Sequence, residues 1–281
     1  MKKWIYNVLL GIFAAVFLFS AIYLADYFIS SYLEGKEYDN LAGMMDENTV
    51  APRPTVDETP DTQPEETPTE TTAPTIPLVD VTDPETGETV QMLPQFRELY
   101  TMNNDIVGWI KIPGTDINYP VMQTPDEPNF YLDHNFEKES SKHGAIYARE
   151  TCDINRPSAN ITLYGHRMKD RSMFAQLDKY MEESFYKENS YIYFDTLTEL
   201  HTYKIMSVFL TSATYGKGFP YQRHLDYESE ENYLSFIETC QDLALYDTGV
   251  TAEPGDKFIT LSTCEYSQEN GRLVVVAKRI G

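Results

Sequence analysis

Residues Trp4 to Ala25 form an unbroken apolar run, interrupted only by Asn7 and Ser20, and such a run leaves few options for what precedes any folded domain. About 20 such residues in a helix cross the hydrocarbon core of a bilayer, whereas the apolar core of a cleavable signal peptide has only about 7–15. No convincing small-x-small cleavage site follows Phe19, and the run has no polar face to turn toward water, as a helix of a soluble protein would. Residues 1–27 are therefore expected to be an uncleaved transmembrane anchor. Lys2 and Lys3 precede it and Asp26, Glu34 and Glu37 follow it. Excess positive charge marks the cytoplasmic side, so the expected arrangement is a single pass through the plasma membrane, with the N-terminus cytoplasmic and the rest extracellular.

Residues 28–91 are expected to be an extracellular Pro/Thr/Glu-rich stalk. They have few large apolar side chains to offset the entropy of ordering, and their prolines favour extended segments. From Asp46 to Glu88 there are 12 acidic residues against Arg53 alone, a surplus of 11 in a chain whose net charge is -22. The acidity thus belongs largely to the spacer, and no basic face suggests a nucleic-acid partner.

From Met92 onward the texture is that of one globular domain, residues 92–281. Leu93 to Tyr100 reads as an amphipathic helix. Eight β-rich runs bounded by turn residues follow: Val107 to Ile112, Ile117 to Met122, Gly144 to Ala148, Ile161 to Tyr164, Tyr191 to Asp195, Thr202 to Thr211, Lys257 to Thr263 and Leu273 to Ile280. Helices are expected at Met173 to Met181 and Glu230 to Leu245. The class is mainly β with peripheral helices, a barrel or a sandwich.

Three cysteines leave an odd one in a chain placed outside the cell, which flags a reactive thiol. Cys240 falls on the apolar face of the second helix, with Tyr233, Phe236 and Ile237, so its expected role is packing. A Cys152–Cys240 bridge stays open. Cys264 ends one β-rich run, and Arg272 opens the next after a short Gly-containing loop. An antiparallel hairpin there puts the two at one rim. A free thiol has a pKa of about 8.5, and a nearby cation favours the nucleophilic thiolate; Arg272 could also donate to a tetrahedral oxyanion. The alternative is a structural cysteine beside a strand-capping arginine. His166 opens a polar loop after the Ile161 to Tyr164 run, where an imidazole can shuttle protons. His134, His143, His201 and His224 compete for that role, and no histidine pair has metal-ligand spacing. Spacing alone does not bring His166 to Cys264.

These motifs resemble those of sortases. Thr260-Leu261-Ser262-Thr263-Cys264 is similar to their Thr-Leu-x-Thr-Cys signature, Arg272 to Val276 to their terminal strand, and Tyr164-Gly165-His166 to their histidine motif. Val107 to Thr115, Tyr119 to Gln123 and Ser172-Met173-Phe174 look like class B of that family, from Gram-positive bacteria. The resemblance spans roughly Phe96 to Ile280. It implies an eight-stranded sortase-type β-barrel with Cys264, His166 and Arg272 as catalytic triad. It further implies attack of Cys264 on a Thr carbonyl in the C-terminal sorting signal of a secreted protein, then transfer to an amine of a peptidoglycan precursor. No metal or organic cofactor is implied. Tyr164, Ser262 and Glu265 match substrate-groove positions in similar enzymes, and the segment from Thr211 to His224 is expected to form the adjoining specificity loop, although its residues match no motif individually.

Two other functions fit the same residues: a cell-surface cysteine peptidase, in which water resolves the intermediate, and a non-catalytic stalked binding protein. Asp83-Pro84-Glu85-Thr86-Gly87 has the Pro-x-Thr-Gly form of a sorting signal. It is either an accident of a Pro/Thr/Glu-rich linker or a tethered pseudo-substrate.

Overall fold

The computed structural model describes residues 3–47, 76–214, 216–224, 226 and 229–281. Two compact units are present, residues 1–41 and 42–281. The first is the greater part of helix α1 (Lys3–Glu47). Its apolar stretch has a mean hydropathy of 2.5 and is wholly exposed, which suits a membrane anchor or a signal sequence. The helix runs well past Tyr27, where the stalk was expected to begin. Ala25 to Met45 contains no proline and is rich in residues that propagate a helix, such as Leu33, Glu34, Lys36 and Glu37.

Of the expected stalk, residues 48–75 lie outside the described residues. Strands β1 (Val79–Thr82) and β2 (Thr89–Met92) form an antiparallel hairpin with Val79 opposite Met92 and Thr82 opposite Thr89. Asp83 builds the turn. Its Oδ1 accepts from the Glu85 and Thr86 amides at 2.9 and 2.8 Å, its carbonyl accepts from the Gly87 amide at 3.0 Å, and Gly87 takes φ 73°. The Pro-x-Thr-Gly string is thus a closed turn rather than an extended peptide. A buried 2.5 Å bond from the Tyr100 hydroxyl to Asp83 Oδ2 holds it.

The remaining strands are β3 (Ile106–Lys111), β4 (Asn118–Met122), β5 (Ile146–Ala148), β6 (Asn160–Tyr164), β7 (Tyr191–Thr196), β8 (Thr202–Ser212), β9 (Phe258–Glu265) and β10 (Gly271–Arg279). They close into a barrel in the order β10, β8, β7, β3, β4, β5, β6, β9. Two neighbouring pairs are parallel, β4 with β5 and β6 with β9, and the others are antiparallel.

Helix α2 (Arg97–Met102) continues a short 3₁₀ turn at Pro94–Phe96 and buries Leu99 and Tyr100. The stretch expected as a helix from Met173 is a 3₁₀ helix, Phe174–Met181, followed by α3 (Glu183–Glu188). Helix α4 (Glu230–Asp242) packs Tyr233, Phe236, Ile237 and Cys240 against Phe258, Val274 and Val276. Side chains alternate across a strand. Val274 and Val276 therefore face α4 outside the barrel, while Leu273 and Val275 fill its interior. Cys152, Cys240 and Cys264 all carry free thiols, so the open Cys152–Cys240 bridge is not formed. Cys240 sits in the core under α4.

Candidate active site

Strand register decides what meets at the barrel's outer face. Cys264 lies two residues beyond Ser262 on β9, and His166 lies two beyond Tyr164 of β6. Ser262 and Tyr164 are partners in the parallel β6–β9 ladder, so His166 and Cys264 emerge at the same end of adjacent strands. On the other side of β9, Arg272 is the antiparallel partner of Cys264 itself. Adjacent strands lie about 4.8 Å apart, so three neighbouring chain segments present histidine, cysteine and arginine side by side. Gly165 makes the crossing possible. A Cβ there would lie 2.4 Å from Ile146 Cδ1 and 2.8 Å from the Phe174 ring.

Cys264, His166, Arg272, Tyr164 and Ser262 line one cavity of about 380 Å³, together with Asn129, Leu132, Tyr147, Arg149 and Glu150. Glu265, expected in the groove, is not among them. Its carboxylate accepts from the Ser267 amide at 2.9 Å and the Ser267 hydroxyl at 2.5 Å. Desolvation alone would raise its pKa, but these bonds hold it below the usual carboxylate value.

His166 Nε2 is 2.7 Å from the Leu132 carbonyl. A carbonyl only accepts, so Nε2 carries hydrogen and Nδ1 is the nitrogen that can gain or lose a proton without breaking that bond. The loop holding His166 is tied at several points. Phe174 donates its amide to the His166 carbonyl at 2.9 Å, Arg167 and Arg171 both reach Asp178 at 3.1–3.2 Å, and Asp170 Oδ2 meets buried His143 Nε2 at 2.7 Å. Arg272 Nη1 donates to the Gly271 carbonyl at 2.9 Å, a main-chain contact that leaves other guanidinium donors for a ligand.

A protein-family model of the sortase domain matches residues 110–280. The sortase B of Staphylococcus aureus is 35% identical over 189 residues, covering 66% of this chain and 75% of that protein. The sortase B of Listeria monocytogenes is 29% identical over 188 residues, covering 66% and 74%. A structure described as a Staphylococcus aureus sortase B-substrate complex superposes with a TM-score of 0.62 at 34% identity, covering 67% of this chain and 86% of that one. Sortase B from Bacillus anthracis in complex with AAEK1 gives 0.66 at 32% identity, covering 90% and 99%. This chain belongs to the sortase B family. Sortase B enzymes are cysteine transpeptidases, and the eight-stranded barrel is the sortase fold expected from the motifs.

Around this sortase B site the polar walls are aromatic. Ser262 is buried with its Oγ 2.6 Å from the Tyr221 hydroxyl, and the Tyr147 and Tyr164 rings lie 5.4 Å apart. Desolvation raises all three phenols, Tyr147 to about 12 with the Glu150 charge adding to the effect. At neutral pH they act as uncharged hydrogen-bonding groups. Sequence reasoning missed Asn129, Leu132, Tyr147, Arg149, Glu150 and Tyr221. Only Tyr221 fell within a stretch singled out beforehand, the loop from Thr211 to His224. The rest come from β5 and the chain on either side of it, which reaches the site through the parallel pairing of β5 with β4 and its antiparallel pairing with β6. No local pattern announces that pairing.

Proposed function

We propose that this protein is a membrane-anchored transpeptidase that cleaves a C-terminal sorting signal at Thr and joins the new carboxyl end to an amine of a peptidoglycan precursor. The observation that carries the reading is the alignment of His166, Cys264 and Arg272 on three adjacent segments facing one cavity. The Cys264 thiolate attacks the Thr carbonyl carbon, and the negative charge gathering on its oxygen is met by the Arg272 guanidinium, a contact strongest in the transition state. Collapse breaks the amide C–N bond. The leaving amine takes a proton from the His166 imidazolium, and a thioester remains on Cys264. The acceptor amine then attacks that thioester, and neutral His166 accepts the proton released as the new amide forms. Thiolate and imidazolium are restored together, and the thioester conserves the energy of the broken bond. The helix α1 supports an anchor that keeps this chemistry at the outer membrane face. A relative solved as a sortase B-substrate complex supports a peptide as the donor.

The test is to incubate the full-length protein in detergent with a panel of Pro-x-Thr peptides and triglycine, beside Cys264→Ala, and to read the products by mass spectrometry. Amine-ligated product that vanishes in the variant is expected. Hydrolysed product alone would favour the peptidase, and no Cys264-dependent product would overturn the reading.

A further inference from the structure

Glu150 is the single carboxylate among the described residues that line the Cys264 cavity; the other charged side chains there, Arg149, His166 and Arg272, are cationic or can become so. Its position is fixed by the chain around it. Just past β5, the Arg149 amide donates to the Thr162 carbonyl at 2.9 Å, and the Arg149 carbonyl accepts from the Cys152 amide at 3.0 Å and from Gln123 Nε2 at 2.8 Å. The Glu150 side chain is only 27% exposed, and among the described residues the sole cation near its carboxylate is Arg149 Nε at 3.9 Å. That guanidinium is committed elsewhere, to the Gln222 carbonyl and, at 2.9 Å, to Thr151 Oγ1. Among the described residues no hydrogen-bond donor reaches the Glu150 carboxylate. A half-desolvated carboxylate left without donors favours a cation that brings them.

Resting on the transpeptidase reading, we infer that Glu150 is the docking group for the acceptor, holding its primary amine as the ammonium within the cavity that contains the Cys264 thioester. A primary amine is mostly protonated at neutral pH, with an ordinary pKa of about 7.7–8.0 for a peptide α-amine and about 10 for a lysine-type alkylamine. From that position the ammonium sheds one proton to solvent to expose its lone pair. The second proton passes to neutral His166 as the amide forms. Glu150 thus selects cationic acceptors and raises their local concentration, without touching the acyl carbon.

The experiment compares two acceptors in the full-length protein, with the donor peptide held saturating: triglycine, whose terminus is an ammonium, and hydroxylamine, which is largely uncharged at neutral pH. For Glu150→Gln the ratio of kcat/KM for triglycine over hydroxylamine is expected to fall about tenfold, as a lost charge-assisted hydrogen bond predicts. The loss should sit in the triglycine KM, and Glu150→Asp should recover most of it. An unchanged ratio would overturn the inference, as would an unmoved triglycine KM together with a raised donor-peptide KM, measured separately at fixed triglycine, which would make Glu150 a donor-side contact. No Cys264-dependent product with either amine in the unsubstituted protein would overturn the transpeptidase reading instead, and the inference with it.

Discussion

Thr263 donates its hydroxyl to the Gly165 carbonyl at 2.8 Å, which ties the residue before Cys264 to the residue before His166. The bond lies at the end of the parallel β6–β9 ladder, where the Gly165 amide also donates to the Ser262 carbonyl at 3.3 Å. It therefore sets how the two segments diverge just where each releases a reactive side chain. Thr263→Val keeps the β-branched shape and removes the donor. We expect a stability loss of about 1 kcal/mol and a fall in kcat of roughly tenfold, because small misplacement of reacting groups is costly. Thr263→Ser should behave nearly as the parent. Thermal unfolding and steady-state kinetics check both, and an unaltered kcat in Thr263→Val would show that the latch does not align the site.

Arg272 and Cys264 are directly opposed on β10 and β9, so the ladder roots the guanidinium-bearing side chain beside the thiol-bearing one. Lysine at this position keeps the charge but loses the planar fork. Arg272→Lys should lower kcat by about 100-fold, the usual cost of one oxyanion donor, while the melting temperature changes little. Turnover within a fewfold of the parent would mean that Arg272 contributes charge alone.

The barrel strands were readable because each is a short β-branched or aromatic run closed off by turn residues, as Ile161 to Tyr164 is by Gly165. The Cys264–Arg272 pairing was readable too, since a hairpin is local. What stayed hidden was non-local. Nothing in the sequence shows that β6 lies parallel to β9, and that pairing brings His166 to the thiol. Nor does it show that β5 and the residues just past it bring Tyr147, Arg149 and Glu150 to the same cavity. The hairpin at Val79–Met92 was masked differently. Its valines are diluted by acidic and threonine residues, and its stability comes from Asp83 and Tyr100, which lie 17 positions apart.

The three thiols should differ sharply in reactivity. Burial pushes the Cys152 thiol up to about 11 and the Cys240 thiol higher still, whereas Cys264 is partly exposed in the cavity. Thiolate is the species that alkylates. Brief iodoacetamide treatment at neutral pH should add one label to the native protein, three to the denatured protein and none to native Cys264→Ala, as read by intact mass. A second label on the native protein would show that the α4 or β6 region opens readily.

The Asp83–Tyr100 bond gives the hairpin a defined pH window. Hydrogen bonds to Asp83, from the Tyr100 hydroxyl first and then from the Thr86 amide, hold its carboxyl far below the ordinary value of about 3.8. Tyr100 is raised above about 10, by burial first and then by the Asp83 bond and charge. For Asp83 the unfolded state binds more protons in acid, so its contribution is complete above about pH 4 and is lost as pH falls through that range. For Tyr100 the folded state retains its proton longer, so its contribution is complete below about pH 10 and is lost as pH rises beyond it. Tyr100→Phe keeps the ring in place and removes the shared proton. The variant should unfold at lower temperature than the parent at pH 7, and the gap should narrow toward pH 3. Equal gaps at pH 7 and pH 3 would show that ring packing, and not the hydrogen bond to Asp83, anchors the hairpin to the barrel.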